Sequence, residues 1–220
     1  MITVWGRRSS INVQKVLWAL GEAGVKFERE TVGGSFGGND TKEYKKLNPM
    51  GLIPVVKDGT LVLFESNAIL RYAARRYGRG TLLPRGYRAL GLAERWVEWT
   101  QSTIAPPVGT VFWNKVRVAP EESDAKAIAQ AAKQAAAAWR IANKLLGKKP
   151  FVTGRHFTYG DIPLGAFYWR YRNLEVDRPA LPNLERWFEQ LEERKAFRDW
   201  VKVPIGRNLK EWNANEKKLK

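Results

Sequence analysis

Apolar residues recur along this chain in two rhythms, and the change between them falls after its first third. Ile2–Trp5 alternates as a short strand. Ile11–Ala23 follows with Val13, Val16, Leu17 and Leu20 on one helical face, and Gly24 stands where a helix end favours a left-handed residue. Val25–Thr31 reads as a second strand and Thr41–Lys46 as a short helix. Pro54–Lys57 and Leu61–Phe64 are two further strands with the turn signal Asp58-Gly59 between them. Glu65-Ser66-Asn67 then opens a helical pattern that lasts to Arg76, with Ser66 as the candidate N-cap. The order is βαβαββα. Tyr77–Tyr87 carries glycine at 78, 80 and 86 and proline at 84, which reads as a linker. Beyond it the strand signals stop. Arg88–Trp99, Ala125–Leu146, Ile162–Arg172 and Leu184–Trp200 all have helical spacing, and Pro106-Pro107 should break or kink the helix that begins at Arg88. The pattern predicts an α/β domain over residues 1–77, a linker over 78–87 and an all-α domain over 88–220. The end of the chain, Glu211–Lys220, reads as a frayed tail.

Composition narrows the chemistry. The 220 residues include no cysteine and a single histidine, His156, so disulfides, thiolate metal sites and histidine metal sites are excluded and no metal is expected. No apolar run reaches the ~20 residues needed to cross a bilayer, and the opening Met-Ile-Thr-Val-Trp-Gly runs straight into a strand. The expectation is a soluble, cytoplasmic protein with no membrane partner. The net charge of +16 attracts anions, but it is spread along the chain, densest at Arg71–Arg79 and Lys210–Lys220. It reads as a solvated basic surface, and a nucleic-acid partner is not expected.

Two stretches carry more than shape. Thr158-Tyr159-Gly160-Asp161 is a capping-box variant ahead of the apolar run Ile162–Tyr168, with Phe157 and Ile162 as its hydrophobic staple. This is a structural motif. The stretch 48–69 begins with the turn Asn48-Pro49-Met50-Gly51, passes Pro54 at the mouth of a strand, and ends with Glu65 and Ser66 at a helix N-terminus. Free backbone N–H groups and the helix dipole favour a carboxylate there, and Glu65 can meet an ammonium, so the unit suits a small zwitterion. The glycine-rich segment 33–40 has no Lys-Ser/Thr after it and is not a phosphate loop. It reads as a mobile cover over the site. The Ile53-Pro54 bond is trans by base rate alone, since only about 5–6% of such bonds are cis.

With these motifs together, the chain resembles a cytosolic glutathione transferase over nearly its whole length. The carriers are Asn48-Pro49-Met50-Gly51-Leu52-Ile53-Pro54, Glu65-Ser66-Asn67-Ala68-Ile69 with Arg71-Tyr72 following, and Phe157-Thr158-Tyr159-Gly160-Asp161. The resemblance implies a thioredoxin-like domain joined to a helical one, glutathione as co-substrate and a homodimer. It implies that Pro54 is cis, that the Ile53 backbone pairs with the cysteinyl part of glutathione, and that Glu65 and Ser66 hold its γ-glutamyl end.

The residue that activates the thiol should follow the first strand, where Arg7-Arg8-Ser9-Ser10-Ile11-Asn12-Val13 stands. The spacing Ser10-Ile11-Asn12-Val13 is similar to serine-type members such as the phi and theta classes. Ser10 is the first candidate for the thiolate partner, followed by Asn12 and Ser9; any of the three could instead only cap the helix. A thiol ionises at about 8.5, and lowering that by about two units requires about 2.7 kcal/mol of preference for the anion. A hydroxyl hydrogen bond and a helix N-terminus can supply it. The chain departs from phi-like members at Asn39, Asp40 and Leu52, which stand where those members carry a basic pair and often a glutamine. Lys42, Lys45 and Arg8 are the candidates to hold the glycyl carboxylate. A small hydrophobic electrophile is expected between Arg8–Ser10 and the helix around Pro106–Trp113, with Val108, Phe112, Trp113, Tyr168 and Trp169 as candidate lining. Two alternatives remain open: a glutathione-dependent disulfide or peroxide reductase, and a non-catalytic module of the same fold that docks a partner.

Overall fold

The computed structural model describes residues 1–219. Strands β1 (Ile2–Trp5), β2 (Phe27–Glu30), β3 (Val55–Asp58) and β4 (Leu61–Phe64) form one sheet in the order β2-β1-β3-β4. β1 runs parallel to β2 and antiparallel to β3, which runs antiparallel to β4. Helices α1 (Ile11–Glu22), α2 (Lys42–Leu47) and α3 (Ser66–Arg76) complete this half. α1 ends as its sequence suggests: Ala23 closes it, Gly24 takes φ +68°, and the Val25 N–H reaches back to the Leu20 carbonyl. The β3–β4 turn is made by Gly59 and Thr60, one residue later than the Asp58-Gly59 signal, because Asp58 still pairs with Leu61.

The helical half contains α4 (Gly86–Trp99), α5 (Ala105–Phe112), α6 (Ala125–Leu146), α7 (Asp161–Arg172), α8 (Pro182–Glu192), α9 (Lys195–Trp200) and α10 (Leu209–Lys218). Three expectations change here. Pro106-Pro107 does not break the rod. A widened turn at Thr100–Ile104 carries α4 continuously into α5, and this wider turn accommodates the prolines that follow it, which have no N–H to give to the preceding turn. The single helix over 184–200 becomes two. Arg194 leaves the helical conformation, grips both carboxylate oxygens of Glu22 at 2.7 and 2.6 Å and stacks on Phe157 at 3.9 Å, a tertiary anchor that local propensity does not encode. The supposed frayed tail is α10, capped by the Asn208 side chain on the Glu211 N–H at 2.9 Å.

One continuous core joins the two halves. α1 packs on α3 within the first half and on α7 and α9 of the second. Trp18 of α1, wholly buried, meets Phe197 edge-on at 5.0 Å and Phe157 at 5.7 Å. Burying one such ring is worth on the order of 2–3 kcal/mol. Ala131, Ala135, Ala138 and Ala142 give α6 a buried face of small side chains, and α6 packs against α5. Asp161, wholly buried at the start of α7, accepts from the Thr158 N–H at 2.9 Å and the Thr158 hydroxyl at 3.3 Å. Its other oxygen accepts from the Val152 N–H and Trp187 Nε1, both at 2.9 Å. Burial pushes this carboxyl up to about 6, the four donors oppose the rise, and it stays ionised at neutral pH. The capping box is thus half made, since the Asp161 N–H goes to the Thr158 carbonyl rather than to its hydroxyl.

Candidate active site

The sheet register brings every candidate motif to one edge. Trp5 pairs with Glu30 on one side and Val55 on the other, and Val55 pairs with Phe64. The exits of β1, β2 and β4 and the entrance of β3 therefore lie side by side. They present Arg7–Ser10, the glycine-rich segment, Glu65-Ser66 and Ile53-Pro54 respectively. Gly33 and Gly34, at φ +89° and +61°, allow that segment to lie close: a Cβ on Gly33 would fall 2.9 Å from Ile53 Cδ1, and one on Gly34 would fall 2.5 Å from Arg7 Nε.

The four residues before α1 face different ways. Ser10 is the N-cap, in extended conformation, and its hydroxyl makes no cap hydrogen bond. It lies at the positive end of the helix and borders a cavity of about 350 Å³. Ser9 is buried and committed: its hydroxyl accepts from Arg7 Nη1 at 2.7 Å and donates to Glu216 at 2.5 Å. Asn12 borders the cavity and accepts a hydrogen bond from the Ser66 hydroxyl at 3.3 Å, so it bridges α1 to α3. Arg8 is turned away from the cavity. Its guanidinium donates to the Asp199 carbonyl and stacks on Trp200 at 5.3 Å. Of these two arginines, Arg7 borders the cavity and Arg8 does not.

On the other flank, the Ile53-Pro54 bond is cis, as the resemblance implies. The Ile53 N–H and C=O have no partner among the described residues, while the Leu52 carbonyl is taken by the Tyr44 hydroxyl and Asn48 Nδ2, both at 2.8 Å. Leu52 itself points to solvent. Glu65, not Ser66, flanks the start of α3, and it does so at φ +67°, ψ +105°, which costs a non-glycine residue on the order of 1 kcal/mol or more. Ser66 is buried at the first position of the helix. Beneath them Lys15 is wholly buried, and its ammonium donates to Asn67 Oδ1 at 2.8 Å. Burial pulls its pKa down to about 7, against the pull of the Glu65 charge. Lys42 and Lys45 are exposed on α2.

Val108, Phe112 and Trp113 line the cavity beside Ser10. Tyr168 does not. It is buried behind the cavity wall, edge-on to Trp139 at 4.9 Å and Phe188 at 5.1 Å, with its hydroxyl on Glu185 at 2.6 Å. The residues that α7 turns toward the cavity are its neighbour Phe167 and, one turn on, Arg170. Trp169 likewise stacks on Phe188 and donates to the Val203 carbonyl at 3.2 Å. The far wall is α10. Trp212 meets Phe112 edge-on at 5.1 Å, and Glu216, one turn on, accepts from Arg7 at 2.7 Å, from Ser9, and from Ser35 of the glycine-rich segment. Burial works against the Glu216 charge, but Ser35, Ser9, Arg7 and Arg117 together hold the carboxyl below its ordinary range. Among the described residues no cluster of histidine, aspartate and glutamate fits a metal ion.

Comparison with known proteins decides the family. Residues 1–75 match the model of the glutathione S-transferase N-terminal domain and residues 125–190 that of the C-terminal domain. The glutathione S-transferase GstB of Escherichia coli K12 is 36% identical over 207 residues, covering 93% of this chain and 100% of the relative. The chain belongs to the glutathione S-transferase family. Glutathione S-transferase 3 of Zea mays is 32% identical over 208 residues, covering 91% and 93% of the two chains. A theta class glutathione S-transferase from Xanthomonas axonopodis pv. citri, solved with glutathione bound, is 42% identical with a TM-score of 0.90, covering 93% of this chain and 99% of that one. Its apo form gives 0.82 at 37% identity, with 93% and 98% covered.

For this glutathione S-transferase, α10 is the part of the site that sequence reading missed. The signal was present. Asn208 three residues before Glu211 is a helix-start signature, and Leu209, Trp212, Glu216 and Leu219 recur at helical spacing. The many lysines of the segment hid it. Lys15 had no such signal, for it sits among apolar positions of α1 where only the fold reveals its partner.

Proposed function

We propose that the protein binds glutathione along the sheet edge, stabilises its thiolate at Ser10 and transfers it to a small electrophile in the adjoining cavity. The observation that carries the reading is Ser10 itself: an uncapped hydroxyl at the N-terminus of a twelve-residue helix, opening on the cavity. Its O–H donates to the thiolate, the helix dipole and Arg7 add positive potential, and the thiol proton leaves to solvent. The free N–H and C=O of Ile53 pair with the cysteinyl backbone, and Glu65 with Ser66 and the α3 N-terminus holds the γ-glutamyl zwitterion. Asn12 positions Ser66 rather than meeting sulfur, and Ser9 is occupied by Glu216. Lys42 and Lys45 stand nearest in sequence to the segment expected to meet the glycyl carboxylate.

The test is a pH titration of thiolate absorbance with glutathione on the wild type and on Ser10→Ala. The wild type should ionise the bound thiol well below about 8.5. Ser10→Ala should move it back upward and lower kcat at neutral pH by about 10- to 100-fold with a smaller change in binding. An unchanged rate in Ser10→Ala together with loss of activity in Asn12→Ala would overturn the assignment.

A cytoplasmic homodimer that removes reactive electrophiles is the accompanying proposal. Leu61 and Phe64 of β4 are exposed large apolar residues beside α3, which supports a covered face there. Light scattering on the purified protein decides the oligomeric state.

A further inference from the structure

The cavity beside Ser10 carries more positive charge than a neutral electrophile requires. Three guanidiniums surround the single ring of Trp212: Arg117 at 4.9 Å from its centroid, and Arg7 and Arg170 each at 5.8 Å. All three border the cavity. The carboxylate among them is Glu216, and it is bound to Arg7. Arg170 is nearly fully buried on α7, with one bond from Nη2 to the Ser9 carbonyl at 3.0 Å and its carbon atom 4.2 Å from the Phe112 ring centroid. Arg117 forms no ion pair among the described residues. The Nε groups of Arg7, Arg117 and Arg170 and Nε1 of Trp212 are buried donors without a partner among those residues.

A buried charge or donor left unpaired is costly, and proteins keep such groups where a ligand completes them. Here every unsatisfied polar atom is a donor, so the missing partner is an acceptor, and the charge makes it an anion. One carboxylate already answers one guanidinium. A glutathione thiolate at Ser10 offsets a second positive charge, and one net positive charge, shared by Arg117 and Arg170, is left for the incoming molecule. Phe112, Trp113 and Trp212 supply flat apolar surface around it.

We propose that the electrophile conjugated by this enzyme is a monoanion, a carboxylate on a flat apolar body, whose charged end is received by Arg117 and Arg170. The proposal rests on the reading of this cavity as the electrophile site. Guanidinium recognition of a carboxylate is geometrically favourable, and burial strengthens it. The reacting carbon then points away from the arginines toward Ser10. With 4-(chloromethyl)benzoate as the probe, the glutathione sulfur forms a C–S bond to the benzylic carbon as the C–Cl bond breaks. Chloride leaves with the electron pair, and the thiol proton has already passed to solvent.

The experiment compares kcat/KM for 4-(chloromethyl)benzoate and for its neutral counterpart 4-(chloromethyl)benzamide, each divided by its rate with free glutathione. In parallel, tryptophan fluorescence reads binding of the unreactive 4-methylbenzoate and 4-methylbenzamide. The acid is expected to be preferred at least tenfold in both readouts. Arg117→Gln should remove the preference, Arg117→Lys should keep most of it, and raised salt should weaken it. Equal treatment of acid and amide by the wild type, in rate and in binding, overturns the proposal while leaving the transferase reading intact. Selective binding of 4-methylbenzoate with no conjugation of either chloride sustains the anion site and removes the transferase reading. A preference that survives Arg117→Gln in a folded variant also overturns the assignment.

Discussion

Glu216→Gln is the most direct test of what α10 does. The Glu216 side chain is 1% exposed and that of Arg7 14%, and the carboxylate accepts from Arg7 at 2.7 Å, from Ser9 at 2.5 Å and from Ser35. Hydrogen bonds to a charged group are worth about 1.5–3 kcal/mol each, and breaking a buried ion pair costs about 3–5 kcal/mol. Glutamine keeps one acceptor and the serine hydroxyls can rotate to meet its amide, so the low end applies, about 3 kcal/mol. That is roughly a 100-fold increase in the frequency with which α10 lifts. Amide hydrogen exchange over residues 209–219 reads this opening directly. The wild type should show the same loss in acid. The folded-state pKa of Glu216 is depressed, so its contribution is complete above the ordinary value of 4.5 and disappears as the pH falls through the lower folded value. Equal protection of α10 in Glu216→Gln and the wild type at neutral pH refutes the reading of Glu216 as a latch that holds α10 down.

Three further outcomes are expected. Glu65→Gly should weaken glutathione binding at least tenfold with no fall in melting temperature, because glycine relieves the φ +67° backbone that Glu65 endures; calorimetry of both quantities checks it. Asp161→Asn should cost about 3 kcal/mol in urea unfolding, because the amide NH2 must face either the Val152 and Trp187 donors or the Thr158 N–H; a loss below about 1 kcal/mol would contradict the buried network. Gly160→Ala should cost about 2 kcal/mol by the same assay, since its Cβ would lie 2.8 Å from the α-carbon of Ala93 on α4.

The N-terminal half was readable because its signals are local. A proline at a strand mouth, a two-residue turn and a glycine at a helix end each fix geometry within a few residues, and β1, β3, β4 and α3 fall within a residue or so of their expected ends. The end of α3 nearest the site was the exception: Ser66 had the better capping chemistry, yet the helix begins on it and Glu65 takes the strained flank. In the helical half, period alone could not say which aromatic faces the cavity. Tyr168 and Phe167 are neighbours in sequence, and the rotation of α7 against α8 sends one to the core and the other to the wall. The arginine ring was illegible for a different reason. Arg117 and Arg170 lie far from the β1–α1 corner that holds Arg7, in a chain rich in basic residues, and nothing in their spacing distinguishes them from solvated ones.

The bonds of Glu216 tie together three distant segments, the β1–α1 corner, the glycine-rich segment and the last helix. On the proposed reading, one carboxylate stands at the boundary between the peptide side and the electrophile side of the site. If α10 must lift to pass electrophile and product, helix motion and chemistry are successive steps of one cycle, and the slower of them sets turnover. If lifting α10 is the slower, kcat will be the same for good and poor leaving groups while kcat/KM still ranks them. Loosening the latch would then speed product escape and at the same time admit poorly matched electrophiles, so pace and discrimination are set against each other by a single side chain.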